Sequence, residues 1–270
     1  MSAPAITPVV SPELRVLLRK LKLGKLLDTL PERVALARSA DLDYFEFLET
    51  ILSDEATRRD TQSAALRART AGLDTGMRFD AWDDTAAITY DRHVLDELAS
   101  LRFIDQANNA LILGPVGVGK TFIATALGHA AVRRRHSVWF ERTDQMLKRL
   151  RASRLDNSRD AELRKLIRVD LLVLDDFALS GLDHADTADL YELIVERHRK
   201  AATVVTSNRD PVEWLALMAD PLLAQSAVDR LQSAAHELVI DGDSYRQRQR
   251  PTLAATPPDD PPPRPRRRRA

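Results

Sequence analysis

From residue 12 to about residue 71 the apolar positions recur at helical spacing. Leu14, Leu17, Leu18 and Leu21 share one face of a helix that opens at Ser11-Pro12, a cap followed by proline at the first helical position. The pattern predicts a second helix from near Pro31. It predicts a third from about Asp43, with Phe47, Leu48 and Ile51 on one side. Gly72 and Gly76 then mark a linker before Trp82. From about residue 87 to residue 240 the period changes, and short apolar runs alternate with helical segments. Strands are expected at 110–113, 137–141, 171–174, 203–206 and 238–240, and helices at 120–134, 144–152, 187–200 and 222–235. This alternation predicts an α/β fold with a five-stranded parallel sheet between helices. Right-handed crossovers would gather the carboxyl ends of the strands at one edge. The expected division is a small all-α unit at 1–75, an α/β unit at 76–250 and a tail at 251–270. The tail is rich in proline and arginine and is expected to be disordered.

Composition narrows the chemistry. The 270 residues carry 40 basic and 40 acidic side chains, so any surface for a polyanion has to be local. The absence of cysteine removes disulfides, thiolate zinc sites and cysteine nucleophiles. The six histidines show no metal-ligand spacing, and His129 and His136 are expected at the surface near a helix end. No apolar run reaches the roughly 20 residues that span a bilayer. The first residues lack the pattern of a signal peptide, so the expectation is a soluble cytoplasmic protein.

The most informative stretch is Leu111-Ile112-Leu113-Gly114-Pro115-Val116-Gly117-Val118-Gly119-Lys120-Thr121-Phe122. An apolar strand stops at Gly114, a glycine-spaced loop follows, and Gly119-Lys120-Thr121 opens an apolar helix. That is G-x-x-x-x-G-K-T in strand–loop–helix context. The glycines let successive N–H groups point at phosphate oxygens, and the helix N-terminus adds its partial positive charge. Lys120 is expected to reach the β- and γ-phosphates, and the Thr121 hydroxyl to help hold Mg²⁺. A chance glycine-rich turn rarely has the full spacing with both flanks. Residues 114–122 are therefore assigned to ATP.

Hydrolysis needs an acid leaving a buried strand beside the metal. Leu171-Leu172-Val173-Leu174-Asp175-Asp176 supplies four apolar residues and then two carboxylates. Asp175 is assigned with Thr121 to Mg²⁺, and Asp176 to the attacking water. Strand ends also carry Asp for turn chemistry, but the apolar run and its distance from the phosphate loop favour the site. Asn208, after the strand at 203–206, fits a residue orienting that water. Ser-Asn after a strand is as often a plain turn. Arg230, inside the helix at 222–235, reads equally as a transition-state cation and as a solvated helix face.

Together these residues resemble the AAA+ ATPases, and within them the IstB-like branch that also holds the DnaC helicase loaders. The resemblance runs from about Leu14 to Arg250. It is carried by Asp220-Pro221-Leu222-Leu223-Ala224, Asp229-Arg230-Leu231, Ala235-His236 and Asp241-Gly242-Asp243-Ser244-Tyr245-Arg246. Residues 22–30 and the run Asp54-Glu55-Ala56-Thr57-Arg58-Arg59 are similar to the family's N-terminal helical domain. The resemblance implies an ATPase helper of a transposase from the same insertion sequence. Such a helper binds duplex DNA without sequence preference and forms ATP-dependent homo-oligomers. It implies Walker A at 114–121, Walker B at Asp175 and Asp176, and sensor 1 at Asn208. It further implies an arginine finger acting in trans at Arg230 and a sensor 2 arginine at Arg246. Many members carry Glu where Asp176 stands; the shorter side chain implies slow turnover.

DNA contact is expected from Arg58, Arg59, Arg67 and Arg69, which fall along one helix. A bare charge run is more often a solvated face, and the resemblance reverses that order. Arg133, Arg134 and Arg135 weigh less, because cations suit a helix C-terminus anyway. The arginines at 266–269 would add affinity through counterion release. Three competing readings remain: a helicase loader, a nucleotide-switched DNA scaffold with negligible hydrolysis, and a small-molecule kinase. The kinase lacks a visible acceptor pocket and lid.

Overall fold

The computed structural model describes residues 10–82 and 88–245. Arg246 and the tail at 251–270 lie outside the described residues. Helix α1 (Pro12–Lys20) is capped by Ser11, whose Oγ accepts the Leu14 N–H at 3.2 Å. Helix α2 (Leu26–Ser39) begins five residues before Pro31, which sits inside it. That corrects the expected start. Proline in the second turn removes one backbone hydrogen bond, and Leu26 and Leu30 are buried on either side of that loss. Helix α3 (Tyr44–Thr70) is fixed by a capping box: Asp43 accepts from the N–H groups of Phe45 and Glu46, and Glu46 accepts from Asp43 N–H.

The end of α3 belongs to the sheet domain's core. Ala68, Ala71 and Leu73 are buried in one cluster with Leu127 and Val138. His129 is buried at 4% exposure, with Nε2 2.7 Å from the Asp74 carbonyl, so it is not the surface residue expected from its place near a helix end.

The sheet consists of β1 (Ile88–Tyr90), β2 (Asn109–Leu113), β3 (Val138–Arg142), β4 (Leu171–Asp175), β5 (Ala202–Ser207) and β6 (Ala235–Gly242). Their spatial order is β1-β6-β2-β5-β4-β3. The five expected strands are all parallel, and β1 adds a sixth, antiparallel edge on β6. The expected five-stranded sheet is thus one strand short, because three residues carry too little periodicity to read. Strand β6 starts at Ala235, within the range expected to be helical; helix α11 (Pro221–Gln232) stops before it. Helices α4 (Arg92–Ala99), α5 (Arg102–Asp105), α8 (Arg159–Arg168) and α10 (Pro211–Leu215) were not anticipated.

Alternate residues of the central strands feed two cores. Ala110, Ile112, Leu171 and Val173 face α6 (Lys120–Arg133), while Leu111, Leu113, Leu172 and Leu174 face α7 (Thr143–Ser153), α9 (His184–Arg197) and α11. Burial on both faces is why these strands read as continuous apolar runs. On the second face Arg197 is buried and caps the end of α8. Its guanidinium donates to the carbonyls of Leu166, Ile167 and Val169, and burial lowers its pKa to about 10. The registers Leu113↔Ser207 and Arg142↔Asp175 bring Gly114, Asp176 and Asn208 to one edge.

Candidate nucleotide-binding site

The loop between β2 and α6 is shaped by backbone that only glycine adopts freely. Gly114 has φ 146°, and a Cβ there would lie 2.0 Å from the Ile240 carbonyl oxygen. Gly117 has φ 89°, and a Cβ would meet the Ser244 hydroxyl at 2.1 Å. The strap after β6 closes on this loop, with Tyr245 N–H donating to the Gly117 carbonyl at 2.9 Å. Lys120, the first residue of α6, is buried and donates to the Pro115 carbonyl across the loop at 2.7 Å.

Beside the loop, two side chains converge on the Asp175 carboxylate. Thr121 Oγ1 donates at 2.9 Å and Thr206 Oγ1 at 2.6 Å, both to Oδ1. Burial pushes the Asp175 carboxyl above its ordinary pKa, and the two hydroxyl donors pull it back. A divalent cation would favour the charged form here. Thr121 and Asp175 offer the hard oxygen donors that Mg²⁺ takes. Among the described residues no group of three or more His, Cys, Asp or Glu could hold a metal alone.

Thr206 also accepts the Asp176 N–H at 3.0 Å. Asp176 takes φ 53°, in the left-handed region, and its carboxylate lies 3.5 Å from Arg142 Nη2. Asn208 is exposed, directly after β5. A cavity of about 490 Å³ joins these parts. Residues 116–122, Asp176 and Asn208 line it. So do Met77, Trp82, Ile88, Leu179, Asp243 and Tyr245. Sequence reasoning assigned none of those six. Trp82 lies against Gly119, packs on Phe122 with centroids 5.2 Å apart and planes tilted by 48°, and donates to the Tyr90 hydroxyl at 3.4 Å. Its only signal in the sequence is an aromatic residue at the end of the expected linker. For Thr206 and Arg142 there was none, because their roles depend on strand register.

The remaining assigned residues lie elsewhere. Arg230 borders a separate concavity of about 430 Å³ with Leu215, Leu222 and Asp229, and donates to the Ser226 carbonyl at 2.8 Å. The expected arginine stripe on α3 is broken up. Arg58 and Arg59 both clasp the buried Glu55, each at 2.7 Å. Arg67 donates to the Val132 carbonyl at 3.1 Å and to Ser63. Arg58 and Arg67 are nine positions apart, about half a helical revolution out of phase. Of the four, Arg59 and Arg69 are exposed, and Arg59 is tied to Glu55.

A mostly parallel sheet, a phosphate loop after its second strand and paired carboxylates at the end of β4, with β5 between the two, define a P-loop nucleotide-binding fold. Solved structures agree in fold. DnaI superposes with TM-score 0.53 at 20% identity, over 60% of this chain and 90% of that one. The replication initiator DnaA bound to AMPPCP and single-stranded DNA gives TM-score 0.53 at 20% identity, over 63% and 51%. The family of IstB-like ATP-binding proteins matches residues 16–252, and the chain belongs to it. Among its relatives is an ATP-binding protein in an insertion sequence of Mycobacterium tuberculosis (strain ATCC 25618 / H37Rv), 39% identical over 90% of this chain and 97% of its own length. Another is the ATP-binding protein of insertion sequence IS21 from Pseudomonas aeruginosa, 32% identical over 88% and 90%. No helix among the described residues is long and apolar enough to cross a membrane.

Proposed function

We propose that this chain hydrolyses ATP and uses the nucleotide to assemble copies of itself on duplex DNA, where it activates the transposase of the same insertion sequence. The observation that carries the reading is the Thr121–Asp175–Thr206 cluster, set against the phosphate loop with Asp176 on the next residue. In this reading Lys120 and the loop N–H groups bind the β- and γ-phosphates. Thr121 and Asp175 hold Mg²⁺, which would offset phosphate charge. Asp176 accepts a proton from the attacking water or orients it, and Asn208 steadies that water against the γ-phosphate. Arg230, outside its own protomer's cavity, acts on the nucleotide of a neighbouring copy, and Arg246 is assigned to the same phosphates. Helix α3 contributes DNA contacts through Arg69, with Arg58, Arg59 and Arg67 held close to the helix surface. The helical unit at 1–75 docks DNA or transposase, the unit at 76–250 works as the ATPase, and the protein acts in the cytoplasm on nucleoid DNA.

A second reading, a nucleotide-switched scaffold, is favoured by the Arg142–Asp176 ion pair, which occupies the Asp176 carboxylate. ATPase rates of the wild type, Lys120→Ala and Asp176→Asn, with and without duplex DNA, separate the two. Wild-type turnover no faster than that of Lys120→Ala sinks the enzyme and leaves the scaffold. Arg230→Ala is expected to bind ATP yet hydrolyse slowly, and mixing it with Asp176→Asn should restore turnover. No recovery counts against action in trans.

A further inference from the structure

The amino ends of the parallel strands form the edge of the sheet opposite the nucleotide site, and they carry a rim of cations that the ATPase chemistry leaves unused. The registers Val138↔Leu171 and Leu171↔Ala202 start β3, β4 and β5 side by side, so the three strands span about 10 Å of edge. Each is entered from a basic helix end. Arg133, Arg134 and Arg135 close α6 on one face of the sheet. Arg168 ends α8, and Arg199 and Lys200 follow α9, on the other face. All six residues are exposed.

Few acids answer them. Arg135 pairs with Asp60 and Lys200 with Glu196, in both cases between exposed groups. Asp170, at the same edge, turns onto Ser137 and accepts from its N–H and its hydroxyl at 2.8 Å. Arg134 donates to the Ser100 carbonyl. A helix dipole favours one cation at each C-terminus, which leaves three in a row after α6 and two after α9 unexplained. Arg135 and Arg199 also take φ 69° and 54°, the left-handed conformation that glycine usually fills beyond a helix end.

The surroundings select the partner. No large apolar residue is exposed within 133–137, 164–170 or 198–201. The centre of a protein interface is apolar or aromatic and loses its water, and this rim offers no such centre. Solvated cations without one suit a polyanion, held as its counterions are released.

We propose that this edge binds the phosphate backbone of duplex DNA, as a contact separate from α3, with cations from both faces of the sheet set against the phosphates. It rests on the duplex-DNA partner proposed above and adds the surface that holds it.

The test is fluorescence anisotropy of two labelled duplexes of unrelated sequence, titrated with the full chain over a range of salt. The variant combining Arg133→Gln, Arg168→Gln and Arg199→Gln should bind both duplexes roughly tenfold more weakly or worse. Its log–log salt slope should be shallower by about 2–3, near 0.9 for each lost phosphate contact. Arg133→Lys, Arg168→Lys and Arg199→Lys together should keep both affinity and slope, because charge carries the contact. Unchanged circular dichroism and ATP affinity would show that both variants fold. A glutamine variant with wild-type affinity and slope overturns the proposal, while α3 remains a DNA contact. Weaker binding with an unchanged slope also overturns it. A wild type that binds neither duplex removes the DNA partner itself, and the proposal falls with it. A glutamine variant that binds DNA normally but no longer stimulates the transposase puts an acidic protein surface on this edge, and that too overturns it.

Discussion

The Ala71 carbonyl, one residue past the end of α3, accepts the Phe140 N–H of the edge strand β3 at 2.8 Å. This bond makes the last turn of the N-terminal helices an extension of the sheet. Two residues further along β3, Arg142 reaches Asp176, so the same strand touches both the helical unit and the candidate catalytic carboxylate.

The junction is sensitive at Gly72. Its φ is 80°, and a Cβ would sit 3.0 Å from the Phe140 carbonyl oxygen. Gly72→Ala is expected to lower stability by about 1–2 kcal/mol, the cost of a left-handed alanine. Thermal unfolding of the purified variant checks this, and an unchanged midpoint would contradict the tight approach.

Thr206 tests the site itself. Thr206→Val keeps the shape but removes the donor to Asp175 and the acceptor for Asp176 N–H. Both carboxylates lose the group that positions them, and a small misplacement of catalytic groups predicts a kcat fall of up to roughly a hundredfold. ATP affinity should change far less, because Thr206 does not line the cavity. Equal losses in both constants would mean that the fold, not the carboxylate, was disturbed.

Asp189 is the main electrostatic anchor of the second core. It is fully buried and accepts from Arg154 at 2.7 Å and from Arg159 at 2.6 Å. Asp189→Ala removes the carboxylate shared by both arginines, although Arg159 keeps Asp160 and Glu192, and is expected to cost about 1–3 kcal/mol. Urea unfolding followed by tryptophan fluorescence measures it. Nucleotide affinity of the folded fraction should hold.

Glu55 gives the N-terminal unit an acid dependence. Hydrogen bonds from Arg58, then Arg59, outweigh burial and lower its pKa from 4.5 to about 2. A depressed folded-state pKa means that the contribution is complete above pH 4.5 and is lost as pH falls toward 2. Stability measured across that window should decline in the wild type and decline less in Glu55→Gln. Parallel curves for the two proteins would exclude Glu55 as the cause.

The phosphate loop and the five parallel strands were legible because their determinants are local. The glycines, Lys120 and Thr121 fall within eight residues, and strands buried on both faces announce themselves as unbroken apolar runs. The edge strand β1 was not legible, since Ile88–Tyr90 gains its identity only by pairing with β6. The expected start of helix α2 is too late, because proline is found more often at the opening of a helix than inside it. In the chain it is carried inside a helix whose packing comes from Leu26 and Leu30.

The sequence alone marked the residues proposed to cradle phosphate, since that chemistry depends on backbone conformation and on neighbours a few positions apart. Tertiary structure decided which charges are available. Glu55 takes Arg58 and Arg59, the end of α6 takes Arg67, and Asp189 takes Arg154 and Arg159. It also brought Trp82, Thr206 and Tyr245 to the loop from opposite ends of the domain. Burial and pairing are set by residues distant in sequence, and a linear pattern of charges carries no record of them.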